Sequence, residues 1–167
     1  MKVVGVIMAQ QCSSVWQNSE HWQRSITRAA ACLAQCSPDG ILINQNRFAD
    51  GYVPDIYPGQ GLLSAVHAAA YHRPEHHLLC ISPDMPGLDG PLLRWLAATG
   101  KSARRSCHYQ HHALPLFVHN SASMRQRLEQ RLTSDEPVLT DNLALLDCVV
   151  IVAPEPDKLK RITDGPS

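Results

Sequence analysis

Three stretches of this chain bring together residues that could do chemistry. In Ser82-Pro83-Asp84-Met85-Pro86, one carboxylate stands between two prolines just after an apolar run. The prolines stiffen the backbone that presents it. A lone hard oxygen ligand at a strand end suits Mg²⁺, which takes one or two carboxylates and completes its shell with phosphate oxygens and water. An aspartate in this setting also caps turns, so the residues alone leave Asp84 between the two roles. The second stretch, Asp55-Ile56-Tyr57-Pro58-Gly59-Gln60-Gly61, leads into a helix of small residues. Glycines ahead of a helix let backbone N–H groups approach a ligand, and a helix N-terminus favours anions. No Gly-Lys-Ser/Thr follows, so it is not a phosphate-loop signature, and taken alone a plain loop accounts for it better. The third, Cys107-His108-Tyr109-Gln110-His111-His112, crowds soft-metal ligands together. Zinc needs four converging ligands, and no Cys-x₂-Cys pair supports the cluster. Incidental histidines on a surface strand or loop explain it. Cys32 and Cys36, one helical turn apart in an alanine-rich run, are expected to pack rather than ligate.

The elements that must position these groups alternate between strand and helix. Continuous apolar runs at residues 3–8, 40–44 and 77–82 have the β-branched and leucine content of strands buried on both faces. Apolar positions Trp22, Ile26, Ala29, Ala30 and Leu33 recur at helical spacing, with Asn18 or Ser19 as cap and 37–40 as the stop. A loop is expected over 47–59, and helices over 61–71, 90–98 and 121–132. Further strands are expected at 114–118 and 148–152. This order predicts an α/β fold, a Rossmann-like, mostly parallel sheet with helices on both faces. Residues 1–163 form its single domain and 164–167 a frayed tail. Ligands of such sheets bind at the carboxyl ends of the strands, here the loops after Met8, Asn44, Ser82 and Val152.

Composition narrows the partners. The chain has 167 residues, 44% hydrophobic and 18% charged, as one globular domain has and a disordered segment has not. Fifteen basic and fifteen acidic side chains give a formal charge of zero. No net field therefore draws it to nucleic acid or to an anionic membrane. No apolar run approaches the ~20 residues of a membrane span, and no signal peptide is read at the N-terminus. Six irregularly spaced cysteines do not make a disulfide framework. A cytoplasmic location with reduced thiols is expected.

In order along the chain, three motifs resemble those of the molybdenum cofactor guanylyltransferases, nucleotidyltransferases of the nucleotide-diphospho-sugar transferase type. Asn44-Gln45-Asn46-Arg47 matches that family's strand ending Asn-x-Asn-Arg. Residues 55–63 match its Asp-x-x-Pro-Gly-x-Gly-Pro-Leu, with Leu62 for the proline, and 82–86 match its x-x-Asp-x-Pro. His112-Ala113-Leu114-Pro115-Leu116 is similar to its His-Pro-x-x-x-Leu strand with the proline displaced. The resemblance implies transfer of GMP from Mg²⁺-GTP to the phosphate of molybdopterin, with release of pyrophosphate. Asp84 would be the catalytic residue and metal ligand. Met8, Ala9, Gln10, Asn44, Asp55 and Gly61 would bind the nucleotide. Mg²⁺ would be the cofactor, GTP the substrate, molybdopterin the acceptor, and other molybdenum cofactor proteins the partners.

Departures from that pattern fall where the triphosphate would lie. The family opens with Leu-Ala-Gly-Gly-x-Ser-x-Arg-Met-Gly-x-Asp-Lys. Here both glycines are glutamines, Gln10 and Gln11, the arginine is Val15, and the lysine position is Glu20. No Lys or Arg lies between Val3 and Gln23, and Arg24 and Arg28 are the nearest cations that could compensate. The family's closing Asn-x-Asn-Thr-Pro-Glu reads Val150-Ile151-Val152-Ala153-Pro154-Glu155. Two readings follow: an active guanylyltransferase, or a catalytically inactive descendant that binds a nucleotide or a partner protein. A transferase acting on another nucleotide or acceptor is a third.

Overall fold

A computed structural model describes residues 1–135 and 143–162. Its strands are β1 (Lys2–Ile7), β2 (Ile41–Asn44), β3 (Tyr52–Val53), β4 (His76–Ile81), β5 (Cys107–Tyr109), β6 (Leu116–Val118) and β7 (Val149–Ile151). Its helices are α1 (Ser14–Gln17), α2 (Trp22–Ala34), α3 (Gly61–His72), α4 (Gly90–Ala103) and α5 (Ala122–Leu132). One sheet forms in the order β3-β2-β1-β4-β6-β5-β7. Among the described residues β6 alone runs antiparallel to its neighbours; every other pairing is parallel. Helices cover both faces: α2 packs with α4 and against β1, while α3 packs with α5 and against β2, β3 and β4.

The central strands read as apolar runs because both of their faces are covered. Val4, Val6 and Ile7 of β1 and Leu78, Leu79 and Cys80 of β4 are fully buried. Small residues let α3 sit between the sheet and α5, with 62–70 buried around the whole helix.

Four local expectations change. Helix α4 continues to Ala103 rather than stopping near 98. Its Gly100 looks like a terminator but faces the Phe117 ring, into which a Cβ would run. Close packing, not chain reversal, is what that glycine serves. Helix α2 starts at Trp22 with no side-chain cap; the Ser19 hydroxyl donates to the Trp16 carbonyl at 2.8 Å and accepts from the His21 amide at 3.3 Å, ahead of the helix. β3 forms inside the expected loop, with Tyr52 and Val53 pairing to Ile43 and Asn44. β5 runs through the Cys/His cluster, with Cys107 and Tyr109 turned into the core. The tail expected to fray, 164–167, lies outside the described residues.

The parallel strands β1, β2, β4, β5 and β7 end on the same edge of the sheet. The loops after Met8, Asn44, Ser82 and Val152 therefore emerge together.

Candidate functional site

At the end of β4 the carboxylate of Asp84 is buried, at 4% exposure. The Nε–H of Arg161 donates to both of its oxygens, at 3.0 and 3.2 Å. The Ser82 hydroxyl donates to Oδ1 as well. Arg161 also donates from Nη2 to the Gln11 carbonyl at 3.0 Å and to Ser82 Oγ at 3.3 Å. Cys12 lies 3.7 Å from Ser82 Oγ, and its thiol pKa is pushed up to about 11 by burial and then by the Asp84 charge. It is an inert thiol rather than a nucleophile.

This cluster is a test of the expected magnesium site. The ion binds carboxylate oxygens at about 2.0–2.1 Å and demands a near-octahedral shell. Here a guanidinium already lies against both oxygens of the one carboxylate. Among the described residues, no three of His, Cys, Asp and Glu converge to hold a metal ion. As arranged, Asp84 and its neighbours do not fit Mg²⁺, which would have to displace Arg161.

The loop after β1 is closed in part. Met8 and Ala9 are buried and Gln10 half-buried. The Met8 amide donates to the Ile81 carbonyl of β4 at 2.8 Å. Residues 9–11 form one 3₁₀ turn, in which the amides of Gln11 and Cys12 donate to the carbonyls of Met8 and Ala9 at 3.2 Å. Those N–H groups face their own turn instead of a ligand. Val15 is exposed, and so is Glu20.

The end of β2 is different. Asn44 is fully buried, and its amide donates to Asp55 Oδ1 at 2.8 Å and to the Val53 carbonyl at 3.1 Å. Its own Oδ1 is buried with no partner. The Asp55 amide donates to Asn46 Oδ1 at 3.2 Å. Burial raises the pKa of the Asp55 carboxyl, and the Asn44 hydrogen bond opposes that rise. Gly61, at φ +74°, is exposed at the start of α3. Residue Gln60, which precedes the helix, sends its side chain to the Leu132 carbonyl of α5 at 3.2 Å instead of capping α3.

The structure thus brings Asn44 and Asp55 into one polar pair. It holds Asp84 and the 8–11 turn together through Arg161. Sequence reading missed Arg161, which is 77 residues from Asp84 along the chain. The Lys158–Arg161 stretch carries three basic residues and reads as solvated surface. Arg28, one candidate for compensation, lines only a shallow cleft beside Ser82 and Pro83.

The segment that carries Arg161 is firmly docked. Leu159 is fully buried, and Lys158 pairs with Asp89 at 2.7 Å and with Glu155 at 2.5 Å. The Ile162 amide donates to the Asp84 carbonyl at 2.9 Å. A Cβ on Gly87 would lie 3.0 Å from the Lys158 backbone and would press that backbone outward. Beside this segment, Asp89, Pro91, Trp95, Tyr109, Pro154 and Lys158 line a cleft of about 350 Å³. A cleft of about 410 Å³ opens at the other end of the sheet, around Lys2, Asp39 and Lys101, away from these residues. In the Cys/His cluster, Cys107 Sγ lies 3.1 Å from the Leu96 carbonyl, while His108 Nδ1 lies 2.9 Å from the His112 carbonyl. The two side chains engage different parts of the fold.

Sheet order, helices on both faces and a polar site at the strand ends define a nucleotidyltransferase-like α/β domain. A family model described as the MobA-like NTP transferase domain matches residues 21–146 of the 167, and the chain belongs to that family. No curated protein matches it. Among solved structures it is similar to the crystal structure of the Aq1419 protein from Aquifex aeolicus VF5. The TM-score is 0.64 at 12% identity, with 97% of this chain and 93% of that one covered. At that identity the likeness speaks for the fold. Among the described residues, no helix is long and apolar enough to cross a membrane.

Proposed function

We propose that this protein binds a guanine nucleotide at the ends of β1, β2 and β4 and has lost most of the family's capacity to transfer it. One observation supports the loss above all. In the turn after β1 the Gln11 and Cys12 amides go to the carbonyls of Met8 and Ala9, in a loop without any Lys or Arg. A triphosphate brings about four negative charges, and catalysis of its transfer is mainly positioning and charge stabilisation. Each charge-assisted hydrogen bond lost costs roughly 1.5–3 kcal/mol. Two missing cations and an added carboxylate, Glu20, would therefore slow transfer by several powers of ten.

The base side supports guanine. Guanine presents two neighbouring donors, N1–H and N2–H, to one acceptor group. The half-buried Asp55 carboxylate, oriented by Asn44, is such an acceptor. A site with buried hydrogen-bonding groups discriminates strongly against bases that leave those groups unpaired. Active GMP transfer to molybdopterin, with other molybdenum cofactor proteins as partners, is the second reading. The 350 Å³ cleft lined by Trp95 favours it, since it opens at the same sheet edge and has room for a heterocyclic acceptor.

Titration of the purified chain with GTP, ATP and CTP tests the proposal, followed by a transfer assay with molybdopterin. Guanine preference with transfer barely above background is expected. Equal binding of all three, or a preference for CTP, would remove the guanine assignment. Robust transfer would establish the second reading.

A further inference from the structure

Arg161 makes hydrogen bonds to the loops after both β1 and β4, the two central strands of the proposed nucleotide cleft. We propose that its guanidinium replaces the divalent cation of this site, so that a nucleotide phosphate binds to Arg161 and needs no Mg²⁺. The inference rests on the nucleotide-binding reading above and adds to it the group that meets the phosphate.

Four observations carry it. Asp84, the carboxylate placed to hold an ion, holds this cation on both oxygens. The side chain is held in place, because its segment is anchored by buried Leu159, by the Lys158 ion pairs and by the Ile162 amide on the Asp84 carbonyl. Its Nε and Nη2 are engaged, while Nη1 has no hydrogen-bond partner among the described residues and the side chain is 34% exposed. Finally, the loop after β1 supplies no Lys or Arg of its own.

A guanidinium is charged at every working pH, and with Nε and Nη2 held by Asp84, Gln11 and Ser82 its Nη1 still offers two N–H donors to phosphate oxygens. Docked on a carboxylate, it forms a pair with no net charge, whereas Mg²⁺ on the same carboxylate would leave one positive charge. The arginine version therefore suits one phosphate better than a triphosphate chain. A monophosphate, as in GMP, is the class of ligand it fits.

Calorimetric titration of the full chain with GMP and with guanosine, in EDTA and in excess Mg²⁺, tests this directly. GMP affinity is expected to agree within about twofold between the two conditions, and R161Q to weaken GMP by about tenfold or more. Guanosine, which has no phosphate, should bind R161Q and the parent equally and so reports that the variant is folded. GMP binding that strengthens about tenfold with Mg²⁺, or that R161Q leaves unchanged, would overturn the proposal. Either result with guanosine still bound leaves the nucleotide reading standing. If neither ligand binds the parent chain, both readings fall. Should R161Q lose guanosine as well, R161K decides. It keeps the charge on Asp84 without the planar fork, so GMP weakened about threefold with guanosine unchanged supports the proposal, and unchanged GMP overturns it.

Discussion

The ends of β2 and β4 open on the same sheet edge and are built on opposite principles. At β2, Asn44 and Asp55 form a polar pair whose acceptors are not all used: Asn44 Oδ1 is buried without a partner. At β4, the oxygens of Asp84 are taken up inside the protein by Arg161 and Ser82. The match to the family follows the same division. It runs over 21–146 and includes Asn44, Asp55, Gly61 and Asp84, whereas the 9–11 turn and Arg161 stand on either side of it. Under the proposed function, base recognition and phosphate handling are separable within this fold. One half can keep its open hydrogen-bonding groups while the other becomes an internal ion pair.

The strongest way to break the comparison is to unseat the segment that carries Arg161. Leu159→Ala empties a fully buried site and is expected to cost about 2–5 kcal/mol in chemical denaturation. GMP binding should fall with it and guanosine binding much less. A cost under about 1 kcal/mol would mean that Leu159 does not anchor the segment.

On the β2 side, Asn44→Ala removes the donor that orients Asp55 and leaves a half-buried carboxylate short of a partner. A loss of about 1–3 kcal/mol is expected, together with the guanine preference. Preserved discrimination between GMP and CMP would show that the pair is structural. Gly87→Ala gives the matching test on the β4 side, since its Cβ would press on the Lys158 backbone. Overpacking of this kind costs about 1–3 kcal/mol, and the expected sign is lower stability with weaker GMP binding.

How far the sequence discloses these two halves depends on the range of the interactions. The strands β1, β2 and β4 are legible because burial on both faces forces unbroken apolar runs. Asn44, Asp55 and Asp84 are legible because each sits in a local motif at a strand end or loop. The short β5 is hidden, since only Cys107 and Tyr109 face inward and histidines flank them. Arg161 is hidden for a different reason. Its partner is 77 residues away, and no local spacing encodes a side chain that the segment after Leu159 delivers to the end of β4. Gly100 reads two ways, because glycine marks both a helix end and a close approach, and here Phe117 makes it the second.

A smaller effect separates the site from the far end of the sheet. Burial, with His119 next, depresses the pKa of His77 to about 4. The unfolded chain takes up this proton near the ordinary histidine value while the fold resists it. The contribution to stability is therefore present above about pH 6.5 and is lost as pH falls toward 4. Stability should be lower at pH 5 than at pH 7, by about 1–2 kcal/mol. Asp55 acts with the opposite sign: its raised pKa gives a contribution present below the usual carboxylate range and lost as pH rises through the raised value. Denaturation of His77→Gln at both pH values should show the acid loss removed. An unchanged loss would assign it to other groups.

The most direct test of the account is the affinity of the full chain for GTP against GMP, at one ionic strength and in EDTA. With no Lys or Arg in the loop after β1, and with its Gln11 and Cys12 amides bonded within the turn, the β- and γ-phosphates meet no cation of that loop. The two affinities are expected to agree within about threefold. GTP binding about a hundredfold tighter than GMP would contradict the account, because the triphosphate contacts would then be intact.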